Sequence, residues 1–81
     1  MSLIAGKFIG DIEKKEVSSG DGSTTVFNLT KTPVSDTMVD VYLNGLIQTR
    51  NVDYTISAAA ITFTTAPANA QEVYISYRFK D

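Results

Sequence analysis

The chain contains no cysteine, no histidine and no tryptophan among its 81 residues. The lack of histidine removes the usual general base near neutral pH, and the lack of cysteine removes thiol nucleophiles and disulfide bonds. Zinc and haem sites built from these two residue types are excluded for the same reason. We therefore expect no enzymatic activity, and we assign no catalytic, metal-binding or cofactor-binding residue.

An excess of positive charge and a long apolar run are also missing. Seven basic residues face nine acidic ones, so the formal net charge is -2, and neither sign is gathered into a run. A protein that binds nucleic acid by neutralising phosphates needs a basic surface, so we expect no nucleic-acid partner. No apolar stretch approaches the roughly 18 residues of a membrane helix, and residues 1–3 lack the features of a signal peptide. We expect no membrane partner.

The small size of the chain limits the core that it can build. A chain of 81 residues forms one domain, and a domain of this size buries only about 60% of the surface that its unfolded chain exposes. For a chain this short, the free energy gained by burying apolar surface roughly equals the conformational entropy lost on folding. No disulfide is present to add stability. Oligomerisation or docking on a larger body is the expected remedy.

From Val17 onward the composition and periodicity are those of short β-strands. Thr, Val, Ile, Phe and Tyr are frequent, and turn residues interrupt them at short intervals. Alternating residues predict strands at positions 24–29, 38–43, 46–49, 54–56, 60–65 and 72–79. The last of these is the longest, which favours a central position in its sheet. About six short antiparallel strands predict an all-β fold, either a small sandwich or an open barrel.

Two turns carry the strongest local signals. Asn44 and Gly45 lie between two alternating apolar runs, where a type I′ turn requires positive φ at both central residues. Gly20, Asp21 and Gly22 form a second predicted turn, because glycine tolerates positive φ and aspartate bonds to its own backbone. A calcium loop here would need several acidic ligands, and only Asp21 is acidic.

The segment before Val17 has a different character. Apolar residues at 3–12 fit either a helical stripe or a strand, and the glycines at positions 6 and 10 weaken the helix. We favour an extended arm or an edge strand, followed by a solvated connector at 13–16. The expected organisation is an amino-terminal arm and connector at 1–16, which makes an assembly contact, and an antiparallel β domain at 17–81.

Two sets of apolar side chains are candidates for an assembly interface. One lies on the arm, and the other consists of tyrosines predicted to point away from the core: Leu3, Ile4, Phe8, Ile9, Ile12, Tyr42 and Tyr74. Tyrosine is favoured at interfaces because a large apolar ring ends in a polar hydroxyl. The alternative is that these side chains cover their own domain. A third reading places Tyr42 and Tyr74 in a carbohydrate-binding face with nearby polar groups.

The order and spacing of the β segments resemble a known module. The segments that carry the likeness run from Gly20 to Tyr77: GDGSTTVFNL at 20–29, VDVYLNGLIQ at 39–48, DYTI at 53–56, ITF at 61–63, AP at 66–67 and VYISY at 73–77. In this arrangement they resemble a small β module of tailed-bacteriophage virion proteins, found in tail fibres and tail appendages. Each piece alone is ordinary hairpin chemistry.

The resemblance implies a non-enzymatic structural protein located in the virion and assembled in the cytoplasm of the bacterial host. Its implied partners are other virion proteins and further copies of itself, with a trimer favoured, and it brings no catalytic residues or cofactors. A tail or tail-fibre component is one alternative, and a capsid decoration or head-fibre protein is the other. A carbohydrate-binding module, whose partner would be a cell-surface glycan, should show a concave tyrosine-lined face, whereas an assembly protein should show an exposed apolar patch.

Overall fold

The computed structural model describes residues 11–80, and strands account for most of the regular structure in this range. Seven strands follow one another within these residues: β1 Asp11–Ser19, β2 Val26–Asn28, β3 Val39–Leu43, β4 Leu46–Ile47, β5 Tyr54–Ser57, β6 Ala60–Phe63 and β7 Glu72–Lys80. A short 3-10 helix, Asp36–Met38, precedes β3 and is capped by the Ser35 side chain, which accepts a hydrogen bond from the Thr37 amide.

The strands form two antiparallel sheets. The larger sheet has the order β1-β7-β3-β4, and the smaller one has the order β2-β6-β5. Antiparallel strands at short spacing are what the alternating sequence predicts, so the all-β expectation is confirmed. The longest predicted strand is indeed internal, because β7 pairs with β1 on one side and with β3 on the other.

One hydrophobic core joins the two sheets. β7 supplies four of its buried side chains, and strands β3, β5 and β6 with the residue after β2 supply the rest: Val73, Ile75, Tyr77, Phe79, Val39, Val41, Tyr54, Ile61, Phe63 and Leu29. These residues occupy alternate positions in their strands, as a sheet with one buried face requires. The predicted inward faces of β3, β6 and β7 are therefore confirmed.

The hairpin between β3 and β4 has the predicted turn. Asn44 has φ of 50° and Gly45 has φ of 83°, which are the positive values that a type I′ turn needs. The Asn44 side chain also accepts a hydrogen bond from the Glu72 amide at 2.7 Å, so the turn is tied to the start of β7. β4 ends at Ile47, two residues earlier than the sequence predicts.

The region at residues 13–16 is not a solvated connector, and the sequence-based prediction was wrong here. These residues lie in the middle of β1, which pairs with β7 over its whole length, from Asp11 opposite Lys80 to Ser19 opposite Glu72. β1 also runs across the expected boundary between residues 16 and 17. Hydrophobic alternation gave no signal because none of the residues 12–19 is buried. With β1 included, the described part of the chain has seven strands, one more than the roughly six that the sequence predicts.

Gly20 and Gly22 serve the turn after β1 in different ways. Gly22 has φ of 83°, which agrees with the prediction. Gly20 is instead required by close packing, because a Cβ atom there would lie 2.7 Å from Pro67. The Gly20 amide donates to the Gln71 carbonyl at 2.8 Å, and its carbonyl accepts from Ala70 at 2.9 Å. This close approach fastens the end of β1 to the loop before β7.

Candidate functional site

The candidate binding residues lie on the solvent-facing side of the four-stranded sheet. On β7, Tyr74, Ser76 and Arg78 alternate with the buried core residues and therefore point away from the core. On β3, Asp40 and Tyr42 do the same. We call this side of the sheet the outer face.

A row of four apolar or aromatic side chains crosses the outer face from one edge to the other. Val17 on β1 lies opposite Tyr74, Tyr74 lies opposite Tyr42 on β3, and Tyr42 lies opposite Ile47 on β4. Val17 and Ile47, at the two ends, are 60% and 58% exposed. We call Val17, Tyr74, Tyr42 and Ile47 the outer row.

The two tyrosines at the centre of the outer row pack against each other. Their ring centroids are 5.8 Å apart and the ring planes meet at 75°, an edge-to-face arrangement. Aromatic pairs in this geometry gain about 0.5–1.5 kcal/mol beyond the area they bury. The pair therefore forms the aromatic centre of the outer row.

An open groove of about 430 Å³ surrounds this aromatic centre. Its lining combines both tyrosines with a hydroxyl and with charged groups of both signs: Tyr42, Tyr74, Ser76, Lys15, Asp40, Glu72 and Gly45. Strand register places Lys15 and Asp40 on opposite sides of Ser76. Aromatic rings beside carboxylate acceptors and an ammonium donor can bind either a protein side chain or the hydroxyl groups of a sugar.

The opposite face of β1 holds a hydrogen-bond network that sequence reasoning missed. The Glu16 carboxylate accepts hydrogen bonds from the Thr30 amide at 3.1 Å and the Thr30 hydroxyl at 2.7 Å. The hydroxyl of the buried Tyr77 also donates to Glu16, and the Lys31 amide donates to that hydroxyl at 3.2 Å. The network ties the edge strand to the segment after β2.

The electrostatics of this network follow from its hydrogen bonds. Burial alone would raise the pKa of Glu16, but the hydrogen bonds from Tyr77 and Thr30, with the nearby charge of Lys14, lower it below the ordinary value of 4.5. Burial and the Glu16 carboxylate raise the pKa of Tyr77. Glu16 is therefore held as a carboxylate and Tyr77 as a neutral donor.

The candidate assembly residues fall into different places. The structure brings Tyr42 and Tyr74 together, and it places Ile12 on the inward side of β1, where it is 41% exposed and separate from the outer row. The remaining arm residues lie outside the described residues: Leu3, Ile4, Phe8 and Ile9. Sequence reasoning missed Val17, Ile47 and Lys15 as neighbours of the tyrosines, because cross-strand register joins positions distant in the chain.

The Asp21 carboxylate makes its hydrogen bonds within its own turn. It accepts hydrogen bonds from the Ser23 amide at 2.8 Å, the Thr24 amide at 2.7 Å and the Thr24 hydroxyl at 2.7 Å. These bonds, led by that from the Thr24 hydroxyl, lower the pKa of Asp21 to about 2. Across residues 11–80 no three acidic, histidine or cysteine residues are grouped as metal ligands would be.

Within the same range, no helix combines the length and the apolar character needed to cross a membrane. No protein-family model matches the chain, and neither does any curated protein sequence. The outer face and the resemblance over residues 20–77 therefore provide the indications of function.

Proposed function

We propose that this chain is a non-enzymatic structural module of a tailed-bacteriophage virion, most simply an assembly part of the tail or of a fibre-like appendage. The observation that carries the proposal is the outer row, with its aromatic centre and its two exposed aliphatic ends. An apolar stripe with a polar rim is the usual anatomy of a protein interface. The resemblance over residues 20–77 supports the virion setting.

Such a module acts by holding a binding surface in a fixed shape for a partner protein. The two sheets share one core, and β7 lies at the centre of the larger sheet. Side chains of the outer row therefore keep fixed spacing, so a partner protein meets a preformed surface and loses little conformational freedom on docking. A capsid decoration or head-fibre protein would use the same surface. The position of the partner protein in the particle, in the tail or on the head, distinguishes these two assignments.

Site-specific crosslinking in assembled particles tests the assembly proposal. A photo-reactive phenylalanine analogue replaces Tyr74 in the outer row, and a matched control replaces Thr55, an exposed residue of β5 in the other sheet. We expect the Tyr74 position to crosslink to another virion protein and the Thr55 position to give little product. Absence of the chain from purified particles, or equal crosslinking from both positions, would contradict the proposal.

A second candidate function is carbohydrate binding. It is favoured by one specific observation, the groove that Tyr42 and Tyr74 line together with Asp40, Glu72 and Ser76. Titration of the free chain with neutral oligosaccharides, followed by NMR, tests this reading. Saturable shifts centred on the two tyrosines and lost in Tyr74→Ser would favour it. Shifts absent at millimolar sugar would leave protein assembly as the function of this face.

A further inference from the structure

β1 is the longest edge strand in the part of the chain that the structure describes. It comprises nine residues and lies at one end of the four-stranded sheet. The other edge strands, β2, β4 and β5, have three, two and four residues. Natural proteins shorten or interrupt their edges because unpaired backbone groups attract another strand. Of the four edge strands within residues 11–80, three are short, whereas β1 is long and relies for its protection on charged side chains such as Lys14 and Lys15.

The free side of β1 has none of the usual backbone interruptions. Its register with β7 is continuous from Asp11 to Ser19, so there is no bulge, and the strand contains neither proline nor glycine. No described residue pairs with its other side. At about 3.4 Å per residue, it offers roughly 30 Å of regular edge.

The charges on β1 favour a second copy of the same strand. Residues 13–16 read Glu-Lys-Lys-Glu, so the centre of β1 carries equal numbers of acidic and basic groups and can be complementary to itself. Glu13 and Lys15 both lie on the outer face and contact each other, with Lys15 Nζ 3.4 Å from Glu13 Oε2. Both side chains are about half exposed, at 54% and 53%.

We propose that two copies of this chain associate through antiparallel pairing of their β1 edges, which joins the two four-stranded sheets into one. A twofold axis perpendicular to the sheet keeps each face on its own side, so paired residues must belong to the same face. With the axis at Lys14, Glu13 of each copy lies opposite Lys15 of the other. This register makes two equivalent charge pairs on the outer face.

The neighbouring register is less favourable. An axis at Lys15 would place Lys14 opposite Glu16 of the second copy, but that carboxylate already accepts hydrogen bonds from Thr30 and Tyr77. The register centred on Lys14 has costs of its own, since it places Asp11 opposite Val17 and the apolar Ile12 opposite Glu16. A further unfavourable feature is that Lys14 faces its own copy at the axis. This feature distinguishes the two registers by experiment.

Charge exchange tests the proposed pairing on the full chain. Glu13→Lys and Lys15→Glu each convert both charge pairs between the copies into like-charge pairs. A charged cross-strand pair changes the free energy of strand pairing by up to about 1 kcal/mol, favourably for opposite charges and unfavourably for like charges. We expect the dimer dissociation constant, measured by sedimentation over a concentration series, to rise roughly tenfold or more in each single variant. The double variant Glu13→Lys/Lys15→Glu restores both the contact within a chain and the contact between copies, so we expect it to dimerise like the wild type.

Two further measurements fix the register and the location of the contact. Lys14→Thr removes the like-charge pair at the axis, so we expect it to tighten the dimer, whereas an axis at Lys15 predicts no gain from this change. Hydrogen exchange should show concentration-dependent protection within β1 and unchanged protection in β3. Circular dichroism of each variant verifies folding.

The outcomes separate this proposal from the one for the outer face. A monomer at every concentration, a trimer, or a dimer indifferent to charge exchange would overturn the β1 pairing. None of these results would change the expected crosslinking from Tyr74, because the edge of β1 and the centre of the outer row are different surfaces.

Discussion

The hydroxyl of Tyr77 donates a hydrogen bond to the carboxylate of Glu16, and this contact connects the centre of the larger sheet to its edge strand. Tyr77 is buried at 1% exposure, whereas no residue from 12 to 19 on β1 is buried. β1 therefore gains little hydrophobic stabilisation of its own. Backbone pairing with β7 and this side-chain network hold it in place.

Removing the Tyr77 hydroxyl tests that role. Tyr77→Phe keeps the packed ring and deletes the donor to Glu16, so we expect a loss of about 1–1.5 kcal/mol in the free energy of unfolding, measured by urea denaturation. Tyr54→Phe is the matched control, since Tyr54 is a core tyrosine whose hydroxyl bonds to no other described residue. Equal effects of the two substitutions would show that the Glu16 contact adds nothing.

The Glu16 carboxyl should make stability depend on pH. Its pKa lies below 4.5 in the folded chain, so its contribution is present above the unfolded pKa and is lost as pH falls through the folded value. We expect Glu16→Gln to be less stable than the wild type at pH 7 and to lose less stability between pH 5 and pH 3. Denaturation curves at both pH values measure this. Parallel pH profiles of the two proteins would count against the network.

Asp21 should act in a lower pH range. Its folded pKa is about 2 against an ordinary value of 3.8, so its stabilising effect is present above about pH 4 and disappears as pH falls toward 2. We expect Asp21→Asn to reduce the loss of stability in that interval. Thermal melts at pH 4, 3 and 2 measure the effect, and an unchanged pH profile would show that the turn does not need the charge.

A β-branched residue at position 45 should destabilise the β3–β4 hairpin. Gly45→Val places such a residue at φ of 83°, where left-handed backbone costs side-chain-bearing residues about 1–2 kcal/mol. Gly45→Asn is the control, because asparagine tolerates this region better than other residues. We expect Val to cost clearly more than Asn in thermal denaturation. A Val variant as stable as the Asn variant would mean that the hairpin adopts another turn.

Gly20 and Gly22 should respond differently to alanine. At Gly20 a Cβ would clash with Pro67, so we expect Gly20→Ala to cost about 1–3 kcal/mol through displaced backbone. At Gly22 no atom lies within 4 Å of the added Cβ, so only the positive φ opposes Gly22→Ala, at about 1 kcal/mol. Urea denaturation of both variants measures the difference. A larger loss at Gly22 would show that close packing is not the reason for Gly20.

The sequence by itself determined the all-β class, the inward faces of β3, β6 and β7, and the Asn44-Gly45 turn. These features are local, because alternation every second residue defines the two faces of a strand and positive φ defines a turn. The same alternation showed that Tyr42 and Tyr74 point outward.

Only the tertiary structure decided which strands are neighbours. β1 carries no buried side chain in residues 12–19, so hydrophobic periodicity could not reveal a strand there. The outer row could not be predicted from the sequence either, because strand register pairs Val17 with Tyr74, 57 positions further along the chain. Strand pairing depends on long-range backbone hydrogen bonds and shared core packing, and a local pattern specifies the faces of a strand without specifying its partner.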